Sequence, residues 1–483
     1  MYGPQNASMD PHFSGAAHLV TIAAELQGLV DRFIAADYEI ALVGGSVRDT
    51  LIGRLDAASD IDLTTNARPE QISELLNGWA DSVWEVGARF GTIAARRGER
   101  ELEITTYRRE AYQPESRKPE VTYGDSLAGD LQRRDFTINA MAVILPTLEF
   151  IDLHGGMSDL REGVLRTPIA AEESFQDDPL RMMRAARFAA QLNMTVDAAV
   201  IAAMTSLAGR LEIVSAERIR EEFSKILMAT SPRMGLEILT QTGLAEFVLP
   251  ELPALQLELD EHHRHKDVYE HSITVLEQAI DLESMHEPQC APDLVLRLAA
   301  LLHDIGKPRT RKFEADGGVS FHHHEVVGAR MVRKRLQAMR YPNDIVNSVA
   351  DLTELHLRFH GYGTGVWSDA AVRRYVRDAG DQLLRLHKLT RADCTTRNKR
   401  RAQTLQRAYD DLEARIAQLA EQEELDAIRP ALDGNQIMEL LGLTPGREVG
   451  QAYRYLMELR LDLGPMSQAQ AEDHLRSWWA NRS

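Results

Sequence analysis

The sequence contains only two cysteines, Cys290 and Cys394, among its 483 residues. Two cysteines cannot form a disulfide framework, so we expect the chain to fold in a reducing cytoplasm. Long hydrophobic runs are also missing, since the longest ones, such as LVLRLAALL at 294–302, contain a charged residue and fall well short of the ~20 residues that span a membrane. Residues 1–14 lack a basic segment followed by an apolar one, and we expect a disordered tail there rather than a signal peptide.

The chain has no excess of positive charge. Its 55 Lys and Arg residues face 73 Asp and Glu residues, which gives a net charge of −18 and argues against a protein that coats nucleic acid. Arginine pairs nevertheless crowd the first 190 residues, for example at 96–97, 108–109 and 133–134. A local positive groove for a polyanion is compatible with this clustering, whereas any single pair is more typical of a solvated helix face.

The hydrophobic period changes along the chain. Up to about residue 170 helices alternate with strands; YEIALVGG is predicted as a strand that ends in a glycine turn, and GTIAARR with RELEITTYR as a hairpin. From about residue 171 onwards the pattern is almost wholly helical, and histidines concentrate between 254 and 400. Length alone predicts about two to four domains.

The stretch LVGGSVRDTLIGRLDAASDIDLTT at 42–65 first shows a glycine pair between a strand and a helix. Without a Cβ, Gly44 and Gly45 leave backbone N–H groups open to phosphate oxygens. Ser46 can add a hydroxyl donor and Arg48 a positive charge. Taken alone, a junction of this kind is most often a simple turn.

The same stretch ends in a pair of carboxylates. Asp60 and Asp62 are two residues apart on a predicted strand, so their side chains project to one face. Two such carboxylates repel each other unless a divalent cation lies between them, and Mg²⁺ prefers these hard ligands together with substrate phosphates. Glu103 on a neighbouring predicted strand is the candidate third carboxylate. Glu101, two residues earlier, would project to the same face and is the alternative. Two solvated aspartates would not explain the glycine turn, so the combination predicts two-metal nucleotidyl transfer.

Further motifs follow in a recognisable order. They are RRDFTINAMA (133–142), IDLHGGMSDL (151–160), DDPLRMMRAARFAA (177–190), SAERIREEFSKIL (215–227) and PRMGLEILTQTGL (232–244). Together with GGSVRD and DIDLTT, they resemble the ordered motifs of class II tRNA nucleotidyltransferases and bacterial poly(A) polymerases over roughly the first 250 residues. The resemblance implies that Asp135 accepts a hydrogen bond from the ribose 2′-hydroxyl, which selects NTP over dNTP, and that Arg134 contacts phosphate or base. Asn139 is expected to hold the turn.

The segment 177–190 is expected to select the base. Asp178 and Arg181 are three residues apart and are predicted to share a helix face, which Arg184 and Arg187 extend. Such a pair is ordinarily a weak surface salt bridge. The resemblance instead implies that Asp178 and Arg181 read the Watson–Crick edge of the incoming nucleotide; this chain has Asp177 where many members have Glu.

The histidine-rich region has a second pattern, H…HD…D. Its members are His271 in VYEHSITVLEQA, His303 and Asp304 in LRLAALLHDIGKP, and Asp393 in LTRADC. The pattern resembles the HD phosphohydrolase superfamily, and its donors suit Mn²⁺, Co²⁺, Ni²⁺ or Mg²⁺. His324 and His356 occur where members with two metals carry extra histidines. A lone buried histidine is more often a core residue than a ligand, but an adjacent His-Asp pair is not a lone histidine.

The resemblances predict the fold class and the domains. We expect an α+β nucleotidyltransferase head with a mixed sheet and helices, followed by an all-α neck, an HD domain and a helical tail. The expected boundaries are 1–14 for the disordered tail, 15–168 for the head, 169–253 for the base-reading and RNA-binding neck, 254–401 for the HD domain and 402–483 for the C-terminal tail. A GLTPG turn near Arg447 is compatible with docking on an RNA backbone, or with a plain helical cap.

The expected activity is addition or repair of the 3′-terminal CCA of tRNA from CTP and ATP, with Mg²⁺ and release of pyrophosphate. A poly(A) polymerase shares every head motif, and a CC- or A-adding specialist is a further alternative. Poly(A) polymerases of this family often carry basic C-terminal extensions, whereas the tail after 402 is acidic to neutral. Alternatives from other classes are an HD phosphohydrolase with a vestigial head and a non-catalytic RNA-binding protein; the intact carboxylate pair argues against both.

Overall fold

The computed structural model describes most of the chain. The described residues are 15–54, 60–85, 91–111, 120–124, 126–256, 267–285, 291–315, 318–359, 367–395, 399–423 and 428–482. The expected disordered tail at 1–14 lies outside them. The chain divides into two compact units, Met1–Val248 and Leu249–Ser483. The finer division into head, neck, HD domain and tail stays a prediction.

The first unit begins with a mixed α/β region and continues with helices. In chain order its elements are α1 (Gly15–Ala35), β1 (Ile40–Val43), α2 (Gly44–Leu51), β2 (Ile61–Thr65), α3 (Pro69–Leu76), β3 (Ser82–Trp84), β4 (Thr92–Arg97), β5 (Arg100–Thr106), β6 (Arg108–Ala111), β7 (Glu120–Tyr123), α4 (Leu127–Gln132), β8 (Met141–Ile144), β9 (Glu149–Asp152), α5 (Gly156–Glu162), β10 (Val164–Leu165), α6 (Ala171–Asp177), α7 (Leu180–Leu192), β11 (Thr195–Val196), α8 (Ala198–Leu207), α9 (Ala216–Leu227), α10 (Pro232–Gln241) and α11 (Ala245–Val248).

A seven-stranded mixed sheet organises this unit. Its strand order is β3-β4-β5-β2-β1-β8-β9, in which β2 and β5 are parallel and the other neighbours are antiparallel. The expected hairpin is present as β4 and β5. The prediction of a mixed sheet with helices, followed by helical regions, is confirmed.

Alternation along the strands separates a core face from a polar face. Ile61, Leu63, Leu102 and Ile104 are at most 1% exposed and pack into the main core with helices α1 and α3. Their neighbours in sequence therefore point to the other face of the sheet, because successive strand side chains alternate. This alternation brings the carboxylates of β2 and β5 to one surface.

The second unit is helical apart from one short strand pair among its described residues. Its elements are α12 (Val268–Asp281), α13 (Leu294–Leu302), α14 (Lys307–Thr310), β12 (Lys312–Phe313), β13 (Val319–Ser320), α15 (His324–Ala338), α16 (Asn343–Leu355), α17 (Asp369–Ala379), α18 (Leu383–Ala392), α19 (Lys399–Glu423), α20 (Gly434–Leu441), α21 (Arg447–Leu463) and α22 (Gln468–Ala480). Among the described residues, no helix is long and apolar enough to cross a membrane.

The apolar helix α13 sets the position of two candidate metal ligands, His303 and Asp304. Its residues Leu296–Leu302 are all buried, so its C-terminal end, where His303 and Asp304 follow, lies in the interior. Gly306 allows the following turn to approach α15, since a Cβ at this position would overlap the carbonyl oxygen of His324. Helix packing thereby brings the end of α13 against the start of α15.

Candidate active site and metal centre

The glycine pair lies at the junction of β1 and α2. Gly44 has a φ of +65°, and a Cβ there would lie 2.9 Å from Nη1 of Arg134 and 3.3 Å from Oδ2 of Asp62. A side chain would therefore be strained and crowded at this position. The backbone N–H of Gly45 donates to the Asp62 carboxylate. The glycine turn thus allows an arginine and a carboxylate to approach the backbone from two sides.

Asp62 and Glu103 are in-register neighbours on β2 and β5. Burial raises the pKa of Asp62 above its ordinary value, although Arg134 and Arg48 oppose the shift. The pKa of Glu103 is also raised, by burial and by the charges of Asp62 and Asp60. Asp60, Asp62 and Glu103 form a donor set that a divalent cation would fit, since its charge would offset the repulsion that Asp62 and Glu103 experience.

A pocket of about 340 Å³ opens beside Asp62 and Glu103, and Asp60 is not among the residues that line it. It is lined by Val43, Gly44, Gly45, Arg48, Asp62, Leu63, Glu103, Thr105, Arg134, Asp135, Asn139, Arg184, Arg187, Phe188 and Gln191. Its wall therefore includes four guanidinium groups facing a carboxylate edge. Such a combination suits a polyanionic ligand that arrives with a cation.

Asp135 is the centre of a buried polar network. Its Oδ1 accepts from Asn139 Nδ2 at 2.9 Å and its Oδ2 from Arg184 Nε at 2.7 Å. Burial raises the pKa of this carboxyl group, but Arg184 and Asn139 outweigh that effect, and the pKa lies well below its ordinary value. Asn139 in turn accepts from Arg48 Nη1 at 2.6 Å. The network links the helix after the glycine turn to helix α7.

Two of the predicted arginines line the pocket from α7. Arg184 pairs with Asp135, with 2.5 Å between Nη2 and Oδ2, and Nε of Arg187 lies 3.0 Å from Oε2 of Glu222. Burial lowers the pKa of Arg187 to about 10, and the nearby Arg184 charge adds to the shift. The Phe188 ring lies beneath both guanidinium groups at 5.3 and 4.3 Å. The charge of Arg187 is therefore disfavoured in its surroundings, and an anion in the pocket would stabilise it.

Ser46 has a different position from the one expected. Its side chain is buried, with Oγ donating to the carbonyl of Asp60 at 3.3 Å and accepting from the N–H of Asp62 at 2.7 Å. It is not among the residues that line the pocket. The geometry therefore does not support a hydroxyl donor to phosphate; Ser46 fixes the strand that carries the two aspartates.

The two predicted base-reading residues also lie apart from the pocket lining. Helix α7 begins at Leu180, after Pro179, and Asp178 precedes it in extended backbone. The expectation that Asp178 and Arg181 share one helix face is thus wrong. Asp178 lies 3.2 Å from Nη2 of Arg218. Arg181 is buried and donates to Ser174 Oγ at 2.8 Å and to the carbonyl of Arg133 at 2.6 Å.

Six of the lining residues are not among the predicted site residues: Val43, Leu63, Thr105, Asn139, Phe188 and Gln191. Asn139 was assigned to a turn only, and Phe188 and Gln191 were not singled out. Periodicity does offer a signal, because 184, 187, 188 and 191 follow the i, i+3, i+4, i+7 spacing of one helix face. The role of Asn139 depends on its contact with Arg48, which is 91 positions away in the sequence.

The histidines and aspartates of the second unit meet in one cluster. His271 lies on α12, His303 and Asp304 follow α13, and Asp393 follows α18. Nε2 of His271 lies 3.3 Å from Nε2 of His303 and 3.0 Å from Oδ1 of Asp393. These three groups bring their donor atoms within 4.8 Å of one another.

His324 and His356 join the same cluster. Together with Asp304 they form a second group whose donor atoms lie within 4.8 Å of one another. Asp304 is shared: Oδ2 lies 3.2 Å from His303 Nε2, and Oδ1 lies 3.2 Å from His324 Nε2. Its position between two sets of imidazoles is that of a bridging carboxylate, and the mixture of nitrogen and oxygen donors fits divalent transition metals.

Backbone hydrogen bonds fix the orientation of three imidazoles. The Nδ1 atoms of His303, His324 and His356 lie 2.8, 2.8 and 2.7 Å from carbonyl oxygens three residues earlier in the sequence. The Nδ1 atom therefore carries the proton, and Nε2 is left as a lone-pair donor towards the centre. Burial and the His303 charge lower the pKa of His356 to about 4. Burial also lowers the pKa of His303, but the charges of Asp304 and Asp393 outweigh burial and raise it. All three rings are thus oriented with Nε2 towards the centre, as metal ligation requires.

Three family models match the chain in order. Residues 40–166 match the Poly A polymerase head domain, residues 193–255 match the probable RNA and SrmB-binding site of polymerase A, and residues 268–423 match the HD domain. The last match contains all six residues of the histidine–aspartate cluster. Both the head and the HD domain are therefore identified by sequence as well as by geometry.

Curated relatives match over different lengths. The A-adding tRNA nucleotidyltransferase of Deinococcus radiodurans is 33% identical over 451 residues, which cover 92% of this chain and 96% of the relative. CCA-adding enzymes of Streptococcus gordonii and Lactiplantibacillus plantarum are 38% and 39% identical. Those two alignments cover 50% and 48% of this chain and 60% and 56% of the relatives.

Solved structures share the fold over nearly the whole chain. The CCA-adding enzyme of Bacillus stearothermophilus in complex with CTP superposes with a TM-score of 0.68 at 23% identity, covering 95% of this chain and 98% of that one. The Thermotoga maritima CCA-adding enzyme complexed with tRNA gives 0.58 at 18% identity, covering 96% and 98%. Together with the full-length relative, these findings establish that the chain belongs to the family of class II tRNA nucleotidyltransferases and bacterial poly(A) polymerases and carries an HD domain.

Proposed function

We propose that this protein adds or repairs the 3′-terminal CCA of tRNA, using CTP and ATP and releasing pyrophosphate. The observation that carries the proposal is the pocket in which Asp62 and Glu103 face Arg48 and Arg134 across the glycine turn. A nucleoside triphosphate needs cationic groups for its phosphates and a cation held at the reacting phosphorus, and this arrangement offers both.

The residues of the pocket have separate tasks in this proposal. Asp60, Asp62 and Glu103 would hold Mg²⁺, which would activate the attacking hydroxyl and stabilise the leaving pyrophosphate. Gly44 and Gly45, which line the pocket without a Cβ, would let the phosphates approach the backbone closely. Arg48, Arg134, Arg184 and Arg187 supply positive charge around them.

Asp135 is proposed to select the sugar. Arg184 and Asn139 hold this carboxylate ionised and in one orientation. A fixed anionic acceptor on the pocket wall favours a ligand with a hydroxyl donor at that point, and a deoxyribose could not make that additional bond. The site would therefore discriminate against dNTP.

Base selection is proposed for Asp178 and Arg181, as the family resemblance implies. In this structure both residues are engaged by protein groups outside the pocket lining. Reading a base would therefore require them to exchange those partners for the base edge. A rearrangement of the segment between α6 and α7, where Asp178 has extended backbone, would supply that change.

Addition of the terminal A alone is a second candidate. The observation in its favour is that the relative matched over 92% of this chain is named an A-adding tRNA nucleotidyltransferase, whereas the two CCA-adding relatives match over about half of it. A poly(A) polymerase is the third candidate of the same chemistry.

One experiment separates these candidates. The purified protein is given tRNA that ends before CCA, tRNA that ends in CC, and an unrelated RNA, each with labelled CTP, ATP or both. CCA addition predicts two C residues from CTP alone and a completed CCA with both nucleotides. An A-adding enzyme would use ATP to extend only the tRNA that ends in CC. A poly(A) polymerase would add A repeatedly to the unrelated RNA.

The carboxylate assignment has its own test. Asp60→Ala or Asp62→Ala should abolish nucleotide addition while tRNA binding, measured by filter retention, persists. Retention of more than about a tenth of wild-type turnover would correspond to a barrier change of less than ~1.4 kcal/mol and would contradict two-metal transfer at these residues.

We further propose that the HD cluster holds divalent metal and hydrolyses phosphate esters. His271, His303, Asp304 and Asp393 would hold one ion of Mn²⁺, Co²⁺, Ni²⁺ or Mg²⁺, and His324 and His356, together with Asp304, would hold a second. The bound metal would supply an activated water. The ammonium group of Lys307, 2.5 Å from Oδ2 of Asp304, would neutralise charge beside the phosphate.

A further inference from the structure

A second pocket, of about 250 Å³, lies on the other side of the head carboxylates. Asp60, Glu101 and Glu103 border it at one side and Trp84 and Ala94 at the other. Glu103 lines both this pocket and the nucleotide pocket. The carboxylates therefore separate two cavities on one face of the sheet, and the proposed nucleotide occupies only the first of them.

The strand register explains how this second pocket forms. Trp84 pairs with Ala94, Ala94 with Glu103, and Glu103 with Asp62, in one row across β3, β4, β5 and β2. In-register neighbours project to the same face, so these four side chains share the polar face of the sheet. The small side chain of Ala94 leaves a gap two strand spacings wide, about 10 Å, between the indole and the Glu103 carboxylate.

An exposed aromatic ring borders that gap. Trp84 is 37% exposed and lies on the edge strand β3, and the Arg96 guanidinium lies over its ring at 5.8 Å. An open indole beside a guanidinium is a stacking platform for a nucleic-acid base, because every base has a π-face. The carboxylates at the opposite side would repel a phosphate group, so the pocket suits the nucleoside part of a nucleotide.

We propose that this pocket receives the 3′-terminal nucleoside of the acceptor RNA, with its base stacked on Trp84 and its 3′-hydroxyl turned towards the carboxylates. The inference rests on the proposed nucleotidyl transfer. In-line displacement requires the attacking oxygen and the leaving pyrophosphate on opposite sides of the reacting phosphorus. With the triphosphate in the arginine-lined pocket, the acceptor must approach from the other side of Asp60 and Glu103, which is where Trp84 lies.

The role of Trp84 is positioning rather than chemistry. Its indole would set the plane of the terminal base, and the gap above Ala94 would set the distance of the 3′-hydroxyl from the carboxylates. Because stacking does not depend on base identity, one platform would serve acceptors that end in different bases. This is what an enzyme that extends its own product requires.

A test combines binding and kinetics on an acceptor-stem minihelix. The minihelix carries 2-aminopurine, a fluorescent base quenched by stacking, as its 3′-terminal nucleotide. The wild type should quench the probe, Trp84→Ala should lose the quenching, and Trp84→Phe should keep most of it. In nucleotide addition, Trp84→Ala should raise the KM for the minihelix about tenfold, the loss expected for one base stack, while the KM for CTP or ATP stays unchanged.

Two further variants make the test specific. Val83→Ala changes the neighbouring residue of β3, which is 38% exposed and projects to the opposite face, and it should leave the minihelix KM and the quenching unchanged. Ala94→Leu should fill the gap and reproduce the defect of Trp84→Ala with the indole still present.

The outcomes separate this inference from the function on which it rests. Unchanged quenching and unchanged minihelix KM in Trp84→Ala would overturn the inference. An equal rise in the KM for CTP or ATP would also overturn it, because Trp84 would then act on the nucleotide pocket. A wild-type protein that quenches the probe but extends no RNA would support the nucleoside pocket and contradict the proposed nucleotidyl transfer.

Discussion

Asp62 and Glu103 are directly opposite each other on the parallel strands β2 and β5, and burial raises the pKa of both carboxyl groups. Neighbouring strands are only about 4.8 Å apart, so the ionised pair would be repulsive at neutral pH without a cation. A protein gains no stability from such a pair. The register therefore singles out Glu103, rather than Glu101, as the third carboxylate of the proposed metal site.

A matched pair of variants tests this assignment. Glu103→Gln should lower kcat for nucleotide addition more than about a hundredfold, which is the scale of losing one charged group at the reacting centre. Glu101→Gln should change kcat less than about threefold, because Glu101 lies opposite Arg96 on β4 and borders only the second pocket, where its loss would affect the KM for tRNA rather than kcat. Steady-state kinetics on tRNA lacking CCA measures both.

The same variants give a control for folding. Since Glu103→Gln removes one of two repelling charges, its thermal midpoint should equal or exceed that of the wild type when Mg²⁺ is withheld. A larger kinetic defect in Glu101→Gln than in Glu103→Gln would contradict the register argument.

The choice between Glu101 and Glu103 depends on strand pairing, which the sequence pattern does not predict. Alternation within a strand is local. It places Glu101 and Glu103 of β5 on one face, whereas Asp60 lies just before β2, which begins at Ile61. The pairing of β2 with β5 joins residues about 40 positions apart and is set by packing of the whole sheet. No local pattern predicts that register.

The structure differs from the sequence prediction at two other positions, and the sequence contained a signal for only one of them. Pro179 is typical of a helix start, so the sequence itself indicated that Asp178 precedes helix α7. The burial of Ser46 under the aspartate strand could not be predicted, because glycine-turn serines are common phosphate donors and only the tertiary contact excludes that orientation here. In the second unit the spacing H…HD…D predicted residues that the structure does bring together.

The HD cluster is expected to work independently of nucleotide addition. Asp304→Ala should remove metal-dependent phosphodiesterase activity, since it deletes the carboxylate shared by both groups of ligands. It should also abolish the rise in thermal midpoint that Mn²⁺ gives to chelator-treated wild type, because a ligand that binds only the folded state stabilises it. CCA addition should stay within about threefold of wild type.

Asp351→Ala is the control for this variant. Asp351 is exposed on α16 and pairs with Arg333 at 2.8 Å, so its loss should leave both activities and the Mn²⁺ effect intact. If Asp304→Ala folds normally but no longer adds nucleotides, the two sites are coupled and the independence proposed here is wrong.

Asp135 is expected to give the head a pH-dependent stability. Its folded pKa lies below the ordinary value, so its stabilising contribution is complete above the unfolded pKa of about 3.9 and is lost as the pH falls below that value. Asp135→Asn should lower the free energy of unfolding by about 3 kcal/mol at pH 7, the cost of breaking a buried ion pair. The difference from wild type should shrink below about pH 4.

Urea unfolding midpoints between pH 7 and pH 3 measure this difference. Asp49→Asn provides the control, because Asp49 pairs with Arg48 at a more exposed position and should cost less than about 1 kcal/mol. If Asp135→Asn lowers the free energy of unfolding by the same amount at pH 7 and at pH 3, the carboxyl group acts through its shape rather than through its charge.

Arg181 allows two opposed interpretations that one variant distinguishes. If it reads the incoming base, Arg181→Ala removes both the favourable pairing and the penalty that unpaired donors impose on a wrong base, roughly 1–3 kcal/mol each. CTP and ATP should then bind more weakly, and UTP and GTP should be incorporated at a relative rate about tenfold higher. Incorporation of all four nucleotides onto tRNA lacking CCA gives these ratios.

The alternative is that Arg181 holds the loop before Asp135 through the carbonyl of Arg133. Ser174→Ala tests it, because this change removes the side-chain partner of Arg181 and keeps the guanidinium. Base reading predicts normal selectivity in Ser174→Ala and relaxed selectivity in Arg181→Ala. Lower turnover with unchanged selectivity in both variants would show that Arg181 positions the loop and that the base is read by other residues.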